Sequence, residues 1–229
     1  MRIISVRNGF APDHSSTSYE FAAVDRALDR EARARVASLS RRANPTRRTV
    51  KFVYNVEGYD IPGGWEPLMR DYYDVMWCND YDWWTLAVAF NASKERQEEL
   101  ARYEFYGTDD MGVRVSTYDN RVIVSIRCQL EPGTLVDLEE DYYEEDWEEE
   151  AEVDGNGYEP DDPLLNLLTQ IRRQLMDGDY RALYAVWEKY GQGGEEAEPD
   201  EGADKPPVPQ ERPTGAWVIE RLRNMLVTS

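Results

Sequence analysis

Histidine is nearly missing from this 229-residue chain, with His14 its single example, and cysteine occurs only at Cys78 and Cys128. One histidine and two distant thiols do not make a closed zinc site without carboxylates, so no metal or cofactor is expected. No run approaches the roughly eighteen apolar residues of a membrane span. The opening MRIISVRNGF has too few apolar residues before Arg7 for a signal peptide. In a chain without an export signal the two cysteines are expected to be reduced and buried, in a cytoplasmic protein with no membrane contact. No G-x-G-x-x-G and no Walker-type loop is present, which excludes nucleotide binding through those motifs. Pro62-Gly63-Gly64-Trp65 is a turn, because the lysine and hydroxyl of a phosphate cradle do not follow it.

The other absence is local. From Glu131 to Asp162 there are sixteen Asp and Glu and no Lys or Arg, which accounts for −16 of the chain's net −20. The first 51 residues run the other way, with eleven Lys/Arg against five Asp/Glu. Such polarity bears on partners and solubility rather than on fold.

Residues 16–130 and 163–191 are rich in aromatic and branched side chains and can bury a core. Residues 131–162 and 192–214 recover too little burial to offset chain entropy. The expected organisation is an α+β core over 1–130, an acidic insertion over 131–162, a helical hairpin over 163–191, a linker over 192–214 and a terminal helix over 215–229. Strands are expected at Ser16–Asp25, Thr49–Val56, Trp83–Phe90, Gly112–Tyr118 and Arg121–Leu130, the last two joined at Asp119-Asn120. Helices are expected at Ala27–Leu39, Trp65–Trp77, Ser93–Tyr103, from Pro163 behind an Asp162 cap, and at Tyr180–Tyr190. The fold class is α+β, a mixed and mostly antiparallel sheet packed by helices.

Several segments carry a resemblance: SYEFAAVDRAL from Ser18, SLSRRANPT from Ser38, YDIPGGWEPLMRDYYDVM from Tyr59, DWWTLAVAF from Asp82, GDYRALYAVW from Gly178 and PPVP from Pro206. The chain resembles a group of bacterial proteins that share these elements and have no established activity. The resemblance implies a common fold and a setting near genes for SWIM-type zinc-finger proteins. It implies no catalytic residue.

Four constellations could carry chemistry. Asp13, His14 and Ser16 place an acid, a base and a hydroxyl together, as a hydrolase needs. Neighbours in an extended segment point to alternate faces, however, so a polar lead into the first strand is the plainer reading. Asp71-Tyr72-Tyr73-Asp74, with Asp80, Asp82, Trp83 and Trp84, mixes acids and aromatics as sugar clefts do, yet fits an ordinary amphipathic helix. Asp154–Glu159 resembles the start of a calcium loop and fails at Tyr158 and Glu159. Arg41, Arg42, Arg47 and Arg48 form a basic patch suited to nucleic acid, which the net charge of −20 disfavours by long-range repulsion.

The segment Tyr142, Tyr143, Glu144, Glu145, Asp146, Trp147 interleaves acids with aromatics. Aromatic anchors surrounded by carboxylates suit a basic groove, and can stand in for nucleic acid on a protein that binds it. The expected function is a non-catalytic accessory protein with a basic protein partner. A hydrolase around His14 and a nucleic-acid module on the arginine patch are the alternatives.

Overall fold

In the computed structural model, residues 17–55, 60–107, 110–131, 158–191 and 204–227 are described. Seven strands form one sheet: β1 (Thr17–Ala22), β2 (Thr49–Tyr54), β3 (Val75–Asp80), β4 (Trp83–Asn91), β5 (Phe105–Tyr106), β6 (Gly112–Tyr118) and β7 (Arg121–Cys128). Their order is β2-β1-β3-β4-β7-β6-β5. Every pairing is antiparallel, so the sheet is not the mixed one expected. The helices are α1 (Arg30–Ala37), α2 (Glu66–Asp71), α3 (Lys94–Ala101), α4 (Pro163–Met176), α5 (Arg181–Tyr190) and α6 (Ala216–Met225). None is long and apolar enough to cross a membrane.

Local chemistry sets the helix starts. Asp29, Ser93 and Asp162 each accept a backbone N–H from three residues on, at Ala32, Arg96 and Leu165. Pro163 adds a ring already set for the first helical position. Asp119 turns the β6–β7 hairpin with φ +54° in place of the usual glycine.

The expected helix over 65–77 is the main correction. Helix geometry stops at Asp71, and Val75-Met76-Trp77-Cys78 becomes the first part of β3. All four side chains are buried. Val75 and Trp77 pack on one side of the sheet, Met76 and Cys78 on the other. A surface helix would have turned one of the four to solvent; a central strand buries all of them.

Two layers cover the sheet. On one side α3, α4, α5 and α6 pack over Val88, Phe90, Val113, Val122, Val124 and Ile126. There α4 rests chiefly on β3 and β4, and α5 on β6 and α6. On the other side, α1 and α2 cover Phe21, Phe52, Met76, Ala87 and Ile123 with Val36, Leu68 and Met69. Cys78 and Cys128 are free and buried on opposite sides of the sheet. The described half of the expected linker is fastened down: Arg181 donates to the Arg212 and Thr214 carbonyls, and Arg212 to that of Asp177.

Candidate functional site

Asp13, His14 and Ser16, and Tyr142, Tyr143, Glu144, Glu145, Asp146 and Trp147, lie outside the described residues. The basic patch lies within them and divides. Arg41, Arg42 and Arg47 are exposed on the α1–β2 connection. Arg48 is a structural group: its Nη1 donates to the carbonyls of Ala23 and Val24 at 2.9 and 2.7 Å, and its guanidinium lies 5.1 Å from the centre of the Tyr158 ring. That stacking fastens the far end of the acidic stretch beside the basic one.

The Asp71–Asp74 run divides as well. Tyr73 is wholly buried against Phe21, as the core reading has it. Asp74 is also buried, at 5% exposure, and organises one edge of the fold. Its Oδ2 accepts the backbone N–H groups of Val24 and Asp25 at 2.8 and 2.9 Å. Its Oδ1 accepts from Arg121 Nη2 at 2.9 Å. Arg121 in turn donates to the carbonyls of Met69 and Tyr73, tying the end of α2 to β7. From the opposite layer Arg172, 2% exposed on α4, donates to the Ala89 carbonyl at 2.7 Å and to Asp25. It approaches Asp74 Oδ1 to 3.8 Å. The buried Arg172, the half-buried Arg121 and two carboxylates thus join both helical layers around the end of the sheet.

Beside this network lies a cleft of about 440 Å³, lined among others by Arg26, Arg35, Arg70, Asp71, Tyr72 and Arg121. Its carboxylates are engaged. Glu31 holds Arg35, and Asp29 caps α1. Asp71 takes both forks of Arg70, which holds its carboxyl below the usual range. The cleft is therefore a salt-bridged notch, in which charge of one sign is matched by the other.

Arg121, Arg172 and Asp25 escaped the sequence reading. The available signal was Arg172, three residues before Leu175 and four after Leu168, on the apolar stripe of α4. A charged side chain there requires a buried partner. No group of three or more His, Cys, Asp or Glu placed to hold a metal occurs among the described residues. No family model, no curated protein and no solved structure matches the chain.

Proposed function

We propose that this is a non-catalytic accessory protein whose acidic-aromatic segment engages a basic protein that itself binds nucleic acid, occupying the surface nucleic acid would use. The observation that supports this reading is where the charge resides. The described residues hold 26 Asp/Glu and 24 Lys/Arg, against 46 and 26 in the whole chain. The described residues are close to neutral, and nearly all of the net −20 is carried by the others. A near-neutral platform leaves steering to the remaining acids, most of which lie in the acidic stretch, as in complementary interfaces. Tyr142, Tyr143 and Trp147 supply the anchoring area that carboxylates lack.

The test is capture from lysate by the full chain and by a chain lacking 138–160, at low and moderate salt. The captured partner is then purified and titrated. Replacing Tyr142, Tyr143 and Trp147 with serine keeps every carboxylate. It is expected to weaken binding while leaving the salt dependence unchanged. Added DNA or RNA is expected to displace the protein from its partner. Capture of the same proteins with and without 138–160, or binding indifferent to salt, refutes the proposal.

A further inference from the structure

The side of the sheet that carries α1 and α2 is covered over only part of its width. Near β1 and β3 it is apolar and buried, through Phe21, Met76, Ala87, Ala89 and Ile123. Towards β6 and β5 the same side presents Thr85, Ser125, Arg127 and Arg114. Register fixes how these meet. Arg127 lies between Thr85 on β4 and Gly112 on β6, and Ser125 between Ala87 and Arg114. Arg114 and Arg127 are therefore diagonal neighbours on adjacent strands, about 7–8 Å apart along the backbone by ordinary sheet geometry.

Position 112 leaves space beside them. Its φ is +154°, and a Cβ there would come within 2.3 Å of the Phe105 carbonyl oxygen. β5 thus admits only glycine at 112, and no side chain fills the place next to Arg127. The result is a basin of about 270 Å³ on Thr85, Ser125 and Gly112, bordered by Trp65, Glu66, Tyr106 and Asp110.

Two carboxylates, Glu66 and Asp110, border this basin against the two guanidiniums, but among the described residues only the Glu66–Arg114 pair is formed, which leaves Arg127 without a counter-charge in contact. Like charges on neighbouring strands of one side repel. Among the described residues Arg114 has the Glu66 carboxylate alone, at 3.8 Å. Arg127 makes no ion pair among the described residues; its guanidinium lies 5.3 Å from the centre of the Trp83 ring, which orients it without using its N–H groups. The hydroxyls of Thr85 and Ser125 have no hydrogen-bond partner among the described residues either. Two guanidinium groups and two hydroxyls lining one small basin offer donors of the kind that phosphate oxygens accept from. Tyr106, 61% exposed at the rim, offers a flat apolar face.

We propose that this basin binds a phosphate monoester carried on a flat ring, with the phosphate between Arg114 and Arg127 and the ring against Tyr106. The probes are phenyl phosphate and inorganic phosphate, titrated at fixed ionic strength by calorimetry and by the arginine side-chain NMR signals. Phenyl phosphate is expected to bind more tightly than inorganic phosphate. Arg114→Gln and Arg127→Gln, both at exposed positions, are each expected to weaken it about tenfold or more, the loss typical of one charged hydrogen bond. Tyr106→Ala is expected to erase the advantage of the ring and spare inorganic phosphate. A triple Arg41→Gln, Arg42→Gln, Arg47→Gln variant controls for general attraction and is expected to bind as the parent does. Circular dichroism and melting confirm that each variant is folded. Absence of binding by the parent at millimolar phenyl phosphate, retention of affinity in both single arginine variants, or an equal loss in the triple variant overturns the proposal.

Discussion

Replacing Asp74 is expected to cost more stability than any other single carboxylate change among the described residues. In Asp74→Ala the backbone N–H groups of Val24 and Asp25 lose their acceptor. Arg121 keeps its carbonyl partners and loses its counter-charge, while Arg172 keeps Asp25 and the Ala89 carbonyl. Removing one partner of a buried ion pair costs about 3–5 kcal/mol. The orphaned amides belong to the same event and do not add in full. Asp74→Asn separates the two contributions. Its amide oxygen can still accept from Val24 and Asp25, but its NH₂ group turns a donor towards Arg121, so the loss is set nearer about 3 kcal/mol by the charge alone. In a domain of this size about 3–5 kcal/mol lowers the melting temperature by roughly 6–20 °C. Urea unfolding followed by far-UV circular dichroism reads the change as a lower midpoint at constant slope. A midpoint for Asp74→Asn within about 1 kcal/mol of the parent would refute the reasoning, because Arg121 and Arg172 would then be satisfied without their carboxylate.

Other expectations follow from single features. Cys78 and Cys128 are expected to be silent to a thiol reagent at pH 8 and both to react in guanidinium, since burial pushes the Cys78 thiol up to about 12 and Cys128 upward as well; rapid labelling of either thiol in the native state would contradict the fold. Burial, reinforced by the bond to Glu99, raises the Tyr180 hydroxyl to about 12. Tyr180 and Cys78 therefore contribute stability that is whole below their unfolded values, about 8.5 for the thiol and about 10 for the phenol, and is lost as pH rises through about 12. In acid the sign reverses: burial pushes the Asp179 carboxyl up, but its bonds from Arg181 outweigh that and leave it lowered. The contributions of Asp179 and Asp71 are thus present above about pH 4 and lost as pH falls below it, readable as urea midpoints across pH. Gly112→Ala is expected to destabilise by about 2 kcal/mol or more, since both its φ and the Phe105 carbonyl exclude a side chain; an unchanged melting curve would contradict the placement of β5.

Most elements were legible where one periodicity dominated. Thr49–Tyr54 alternates, Trp83–Phe90 is continuously apolar, and the capped runs at Ser93 and Asp162 announce helices. The reading failed where two periodicities overlap. Leu68, Tyr72, Val75 and Met76 satisfy a helical stripe, but the pairing of Val75–Asp80 with both β1 and β4 outweighs it; β1 lies far back in the chain, and β4 follows across the Tyr81-Asp82 turn, which the helical reading passed over. β5 is two residues long; Gly112 lets its backbone close in on β6 and Gly107 lets the Tyr190 carbonyl approach its end, which no hydrophobic pattern records. The site followed the same division. Acidic and basic stretches are visible as composition, whereas the network of Asp25, Asp74, Arg121 and Arg172 joins residues up to 147 positions apart. Only the misplaced polarity of Arg172 hinted at it.

The seam between the sheet and its helical cover has a consequence for how the chain could be divided. The strands all precede residue 131, and α4, α5 and α6 all follow residue 158. The two parts meet through interdigitated apolar side chains, the Arg172 contacts and the pairing of Gln129–Glu131 with Met225–Val227. The seam is thus a subunit interface written within one polypeptide. A chain severed between Glu131 and Tyr158 would present two surfaces that already fit each other, and co-expressed halves should reassemble. The acidic stretch would then be divided between the two fragments.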